Sequence, residues 1–190
     1  MGSLNGSGPE KIVLSWDENV ALAVELADGL RPYRPMIDPK KDRLLIPLLG
    51  GALVGLVAGR AMGFTAKESK GVGIGSYATG STEAGRLETD DLPSPEWLDG
   101  MRVTILEDCC DGGDTLKVLT DYCLANGAVD VVSGVIYFKP DSCRPDFRPT
   151  VHVRETEAWI EFPDAPFELI GQRYRLGAQT ESGIHTAVAA

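Results

Sequence analysis

The sequence predicts one α/β domain, a mainly parallel twisted sheet flanked by helices, and three observations carry that expectation. Two short runs, Leu44 to Leu48 and Arg102 to Leu106, are dominated by apolar residues, and each is followed by a glycine pair and then by apolar residues at helical spacing. Strands buried on both faces read as such runs and belong to parallel sheets. The second unit leads on to a further apolar run, Val129 to Phe138, and a strand, helix, strand succession of that kind requires a parallel crossover, right-handed by the general rule. A length of 190 residues with 43% hydrophobic content is enough for one core without disulfides or a structural metal.

Taken in order, Ser15-Trp16-Asp17-Glu18 is a capping box and opens a helix whose Val20, Ala23, Val24, Ala27 and Leu30 share a face. Arg31-Pro32 ends it, and a polar connection runs to Asp42. After the strand at Leu44 to Leu48, Gly50-Gly51 turns the chain into a helix of about ten residues ending near Gly63, and Val72 to Tyr77 forms the next strand. Residues 78–100, rich in Thr, Gly, Ser, Glu, Asp and Pro, are too long for a simple connector. They read as a mobile lid over a binding site, with surface disorder as the competing reading. The helix after the second strand unit places Leu116, Leu119 and Cys123 on one face and stops at Gly127. The short segments Val151-His152-Val153 and Trp159 to Phe162 read as a small hood built from the C-terminal third. The domain then spans 15–167, with 1–14 a mobile N-terminal tail and 168–190 a C-terminal extension.

Composition narrows the function. With 28 Asp+Glu against 18 Lys+Arg the formal net charge is −10, which argues against a protein that grips a nucleic-acid backbone. The longest apolar stretch, from Leu44 to Gly59, is interrupted by Pro47 and glycines and is too short to span a bilayer, so no membrane association is expected. Cys109, Cys110, Cys123 and Cys143 form no Cys-x-x-Cys pair and no Cys/His metal spacing, which fits reduced thiols in the cytoplasm.

The chemistry concentrates between Glu107 and Thr115. Glu107, Asp108 and Asp111 stand at a strand's end directly before Gly112-Gly113, where backbone N–H groups and a helix N-terminus can hold an anion. Carboxylates beside an anion nest suit a phosphorylated sugar, whose hydroxyls or hydrated Mg²⁺ take the carboxylates and whose phosphate takes the amides. The alternative is an acidic turn in which Asp114 or Thr115 caps the helix. Gly50-Gly51 is equally two-sided, as a second anion turn or as a device for close packing.

The run Ile105-Leu106-Glu107-Asp108-Cys109-Cys110-Asp111-Gly112-Gly113-Asp114-Thr115-Leu116 resembles the phosphoribosyl pyrophosphate (PRPP) motif of the type I phosphoribosyltransferases. The likeness runs from about Trp16 to Phe167 and is closest to the xanthine-guanine and hypoxanthine enzymes. It implies transfer of the 5-phosphoribosyl group from PRPP to a 6-oxopurine, with release of pyrophosphate and with Mg²⁺ as cofactor, by a homo-oligomer (dimer or tetramer). Glu107 and Asp108 would then serve the ribose hydroxyls and the metal, and Asp111 would be the acid or base near purine N7. Gly112, Gly113, Asp114 and Thr115 would hold the 5′-phosphate. Gly50 and Gly51 would meet pyrophosphate, and Ser76-Tyr77 would begin the catalytic loop. Lys139 would donate to the purine 6-oxo group, while Trp159 and Ile160 frame the base; strand-end solvation and ordinary core are their respective alternatives.

The turn departs from the family pattern at Gly112, where threonine is usual, and at Asp114, where a neutral or basic residue is usual; Leu49 and Asp164 are further departures. A carboxylate about 4 Å from a phosphate would cost on the order of 4 kcal/mol at an effective dielectric near 20. Either Asp114 points away or phosphate binding is weakened. Two other readings follow: a non-catalytic nucleotide- or PRPP-binding regulator on the same fold, and an aspartyl phosphatase using Asp108 and Asp111. The phosphatase suffers from a mid-chain motif and from the lack of an obvious lysine at a comparable strand end.

Overall fold

The structure, a computed structural model, describes residues 11–48, 50–75 and 88–165. Residues 17–157 form one compact unit, and the described residues 11–16 and 158–165 belong to another. In chain order the elements are β1 (Lys11–Val13), α1 (Trp16–Leu30), β2 (Asp42–Pro47), α2 (Ala52–Met62), β3 (Ser69–Gly75), β4 (Glu88–Asp90), α3 (Pro95–Leu98), β5 (Arg102–Cys110), α4 (Asp114–Ala125), β6 (Asp130–Phe138), β7 (Val151–Glu155) and β8 (Trp159–Glu161).

The larger unit is built on a six-stranded sheet in the order β4-β3-β2-β5-β6-β7. All its pairings are parallel except β3 with the edge strand β4. The expected parallel α/β sheet is therefore present, and β2 and β5 lie side by side at its centre. Both glycine turns leave the sheet from these two neighbouring strands, and both lead into helices. Between them, Leu45, Val72, Val103, Ile105, Leu116, Leu119 and Val135 form a continuous buried core.

The helix predicted after Gly112-Gly113 buries Leu116, Leu119 and Cys123, as the periodicity requires. It ends in a Schellman arrangement: Ala128 N–H reaches the Cys123 carbonyl at 3.0 Å and Gly127, at φ +96°, reaches that of Leu124 at 3.3 Å. For α1 the expected face is rotated. Val20 and Val24 are exposed, and Asn19, Ala23, Leu26, Ala27 and Leu30 are buried, a spacing of 4, 3, 1 and 3 that follows one side of a helix more closely.

Four other expectations need correction. Residues 88–100 are not lid: β4 extends the sheet edge, Leu98 is fully buried, and the Tyr122 hydroxyl donates to the Pro93 carbonyl at 2.8 Å. Residues 78–87 lie outside the described residues. The segment from Val151 is not hood but the edge strand of the main sheet, registered Gly134 to Val151 and tied by reciprocal bonds between Ser133 and Thr150. The tail expectation fails at Lys11–Val13, which pairs in parallel with Trp159–Glu161 in the smaller unit. Finally, β5 continues to Cys110, so Glu107 and Asp108 are strand residues and the turn proper is Asp111-Gly112-Gly113.

Candidate active site

Two helix N-termini face the carboxyl ends of β2 and β5. Gly51 is the N-cap of α2 and Gly113 that of α4, and neither helix has a side-chain capping bond. The first-turn amides of a helix have no partner within it, and without a side-chain cap they suit an anion. Glycine is demanded at both caps. Gly113 has φ +82°, and a Cβ there would stand 2.7 Å from Cys143 Sγ. A Cβ on Gly51 would stand 2.7 Å from the Leu106 carbonyl oxygen, 2.9 Å from that of Pro47 and 3.2 Å from Glu107 Cα. Close packing and the placing of a helix terminus are thus the same feature at Gly51: the glycine lets α2 start against β5.

The carboxylates lie at this junction. Asp108 leans on Gly50, whose Cβ would come within 3.0 Å of Asp108 Oδ1, and the same oxygen accepts the Cys109 N–H at 2.6 Å. Glu107 is half-buried; loss of solvent, followed by repulsion from Asp108, holds its carboxyl well above the usual range. Burial likewise pushes the Cys109 thiol up to about 12, with Asp108 adding to the effect. At neutral pH Cys109 is therefore a thiol and not a nucleophilic thiolate.

Lys139 directly follows β6, and its Nζ donates to Asp111 Oδ2 at 2.9 Å. The lysine is 8% exposed, whereas the Asp111 side chain is 55% exposed. A mainly solvated strand-end lysine is thereby excluded. The chain after Lys139 is strapped to the turn: Lys139 N–H reaches the Cys110 carbonyl and Arg144 N–H that of Gly112, both at 3.0 Å. Glu157 holds the same segment, accepting the Asp141 N–H at 2.9 Å and the Ser142 hydroxyl at 3.0 Å. Asp114 begins α4 with its side chain largely exposed and paired to Arg144, while Thr115 is half-buried in the first turn.

The structure therefore brings Gly50, Gly51, Glu107, Asp108, Asp111, Gly112, Gly113, Asp114, Thr115 and Lys139 to the carboxyl ends of three adjacent strands, β2, β5 and β6. Trp159 and Ile160 belong to the smaller unit, where Trp159 is 61% exposed and Ile160 is buried; the core alternative fails for Trp159. Leu49, Ser76 and Tyr77 lie outside the described residues. A cavity of about 560 Å³ lies elsewhere, along α2, β2 and β3, and is lined by Ile46, Leu56 and Phe64 among others. None of the candidate residues lines it.

No protein-family model matches the sequence, and no curated protein matches it either. Solved structures do. A purine phosphoribosyltransferase from Pyrococcus horikoshii is 25% identical with a TM-score of 0.62, over 81% of this chain and 93% of its own. The Helicobacter pylori xanthine-guanine-hypoxanthine phosphoribosyltransferase is 14% identical with a TM-score of 0.68, over 87% and 99%. A hypothetical protein from Neisseria gonorrhoeae with bound ppGpp is 16% identical with a TM-score of 0.69, over 90% and 98%.

The chain has the type I phosphoribosyltransferase fold. The parallel sheet and the glycine turns that open α2 and α4 agree with the sequence expectation. One ground raised against the aspartyl-phosphatase alternative does not stand, since Lys139 does occupy a neighbouring strand end. Sequence reasoning assigned no role to Arg144 or Glu157, which the structure pairs with Asp114 and with the Asp141-Ser142 segment respectively. Nothing local marks these contacts, because the partners lie 15 or more positions away.

Proposed function

We propose that the protein is a Mg²⁺-dependent phosphoribosyltransferase that joins a 6-oxopurine to the ribosyl C1 of PRPP, giving a nucleoside 5′-monophosphate and pyrophosphate. The observation that carries the reading is the 2.9 Å contact between Lys139 Nζ and Asp111 Oδ2 beside the glycine turn. Purine N7 and O6 lie on one edge, and in a 6-oxopurine O6 is an acceptor. A cation and a carboxylate held together match that edge when N7 carries a proton: Lys139 donates to O6 and Asp111 accepts from N7–H. As the C1 bond to pyrophosphate oxygen breaks and N9 bonds to C1, the N7 proton passes to Asp111 and then to solvent. Adenine presents an amino donor to the same lysine, and two facing donors reject each other.

Positive charge grows on the ribose in this step and negative charge on the leaving pyrophosphate, so amides are needed at one end and carboxylates at the other. Gly50-Gly51 and the α2 terminus supply the first, Gly112 to Thr115 hold the 5′-phosphate, and Glu107 with Asp108 take the ribose hydroxyls. Mg²⁺ would be held by Glu107 and Asp108 together with substrate oxygens and would neutralise the leaving group. The donor set is of the right chemistry for that use, since two carboxylates toward the carboxyl end of β5 offer the hard oxygen ligands that Mg²⁺ takes. Among the described residues no group of three or more ligating side chains builds a metal cage. The names borne by the Pyrococcus and Helicobacter neighbours support the reading.

A second reading draws on the ppGpp-bound neighbour: the same turn and lysine would hold a guanine nucleotide as a regulator, without transfer. One experiment separates them. Purified protein is mixed with PRPP and Mg²⁺, and xanthine, guanine, hypoxanthine and adenine are followed singly by ultraviolet absorbance. Turnover of an oxopurine, none of adenine, and none after chelation is the expected result. Nucleotide binding without turnover favours the regulator, and absence of both refutes the site.

A further inference from the structure

An acidic residue inside a phosphate turn needs an explanation, and the structure holds one in Arg144. Asp114 is the first residue of α4, where a 5′-phosphate would approach the helix terminus. Its Oδ1 accepts Arg144 Nη1 at 2.8 Å. The same guanidinium donates through Nε at 2.5 Å and Nη2 at 3.1 Å to the two oxygens of Asp146, a two-pronged grip that fixes its plane. Arg144 is also bound to the turn through its backbone, N–H to the Gly112 carbonyl at 3.0 Å, and its Cγ would lie 3.4 Å from a Cβ on Gly113. Arg144 is thus anchored through its backbone N–H and through the fork on Asp146, and Nη1 of the same guanidinium binds Asp114.

We infer that Arg144 is a positioning residue for phosphate binding: it ties down the Asp114 carboxylate and screens its charge, which lets this acidic turn accept a phosphate. The inference rests on the site proposed above and extends it to a residue outside the motif. A guanidinium is suited to the task because its charge persists at any working pH and its fork engages two carboxylates at once. Arg144 acts through Asp114 and not on the phosphate itself, and this distinction is measurable.

Calorimetry of inosine 5′-monophosphate and of inosine, with Mg²⁺ present, on the wild type, Arg144→Gln, Asp114→Asn and the double variant tests it. Arg144→Gln is expected to weaken the monophosphate about tenfold or more and to leave the nucleoside within about twofold, a split that general loosening of the fold would not produce. In the Asp114→Asn background the same change should cost less than about threefold, the signature of coupled residues. Arg144→Lys should recover part of the loss. Equal loss in both backgrounds would mean a direct phosphate contact and overturn the inference, as would no loss in either. If the wild type binds neither the monophosphate nor PRPP, the phosphate site itself is refuted and this role with it.

Discussion

Replacing Gly51 by alanine places a methyl group between α2 and β5, and its effect can be reasoned from geometry. Gly51 has φ −75° and ψ −8°, a conformation alanine adopts freely. Through the unfolded chain alone the change would stabilise the protein by about 0.4–1 kcal/mol. The methyl carbon, however, would meet two backbone carbonyl oxygens at 2.7 and 2.9 Å, on β5 and β2. Backbone atoms within a sheet cannot rotate aside, so overpacking should reach the upper end of its ~1–3 kcal/mol range, leaving a net loss of about 2 kcal/mol. For a chain of this size that is a fall in Tm of roughly 4–8 °C. The displacement would be felt at Glu107, whose Cα is 3.2 Å from the new methyl, so PRPP affinity should fall as well. Gly63→Ala is the control. Gly63 has φ +102° with open space around its Cβ position, so alanine there should cost roughly 1–2 kcal/mol in backbone strain and leave binding intact. Thermal melts and PRPP calorimetry on both variants provide the check. A neutral or stabilised Gly51→Ala, or equal loss of binding in both, would refute the packing argument.

Lys139→Ala should reduce affinity for oxopurines by about 10- to 100-fold, the range of a hydrogen bond to a charged group at ~1.5–3 kcal/mol, while PRPP affinity changes little; competition binding with hypoxanthine measures the first and calorimetry the second. Glu68→Gln addresses pH. Its carboxylate accepts from the Thr65 hydroxyl and from Thr65 N–H at 2.9 Å, and the hydroxyl bond above all lowers its pKa below the ordinary 4.5. A group depressed in the folded state stabilises above its unfolded pKa and loses that contribution as pH falls through the folded one. The variant should therefore melt below the wild type at pH 7, with the gap closing as pH falls below about 4.5, and a gap constant from pH 3 to 7 would contradict the assignment. Burial pushes the Cys123 thiol up to about 12, so at pH 8 a maleimide should label it only in urea, as mass spectrometry of the peptides would report.

What could be read in the sequence was local. The units from Leu44 to Gly63 and from Arg102 to Ala125 announce themselves because apolar runs, glycine caps and a 3.6-residue period all lie within one window. The face of α1 was misjudged because Val20 and Val24 compete with Asn19 and Leu26, and which stripe is buried depends on what the helix packs against. The pairings of β7 with β6 and of β1 with β8 join residues far apart or in very short segments, and parallel partners leave no hairpin signal between them. At the site the family resemblance supplied the acids, the glycines and Lys139. It could not supply Arg144, because an arginine among polar residues acquires its meaning from a carboxylate 30 positions earlier.

The two ends of β5 show how one strand separates stability from function. At its start, Arg102 donates to both oxygens of the fully buried Asp42 at 2.8 and 2.6 Å. Arg34, itself 4% exposed, lies against the same carboxylate, reaches Asp130 at 2.7 Å and donates to the Val103 carbonyl at 3.2 Å. Removing one partner from such a buried set costs about 3–5 kcal/mol, so these charges are committed to the fold. At the other end Glu107 loses solvent and has another carboxylate as its neighbour, and both raise its pKa. A raised pKa means that the ionised form is penalised, and any group that brings positive charge or hydroxyl donors to Glu107 relieves that penalty. Perturbed groups at a strand's carboxyl end, beside two uncapped helices, are where binding energy can be gained without disturbing the core. The charge pairs at the start of β5 keep the strand in register, and that register fixes where Glu107 and Asp108 stand against Gly50 and Gly51.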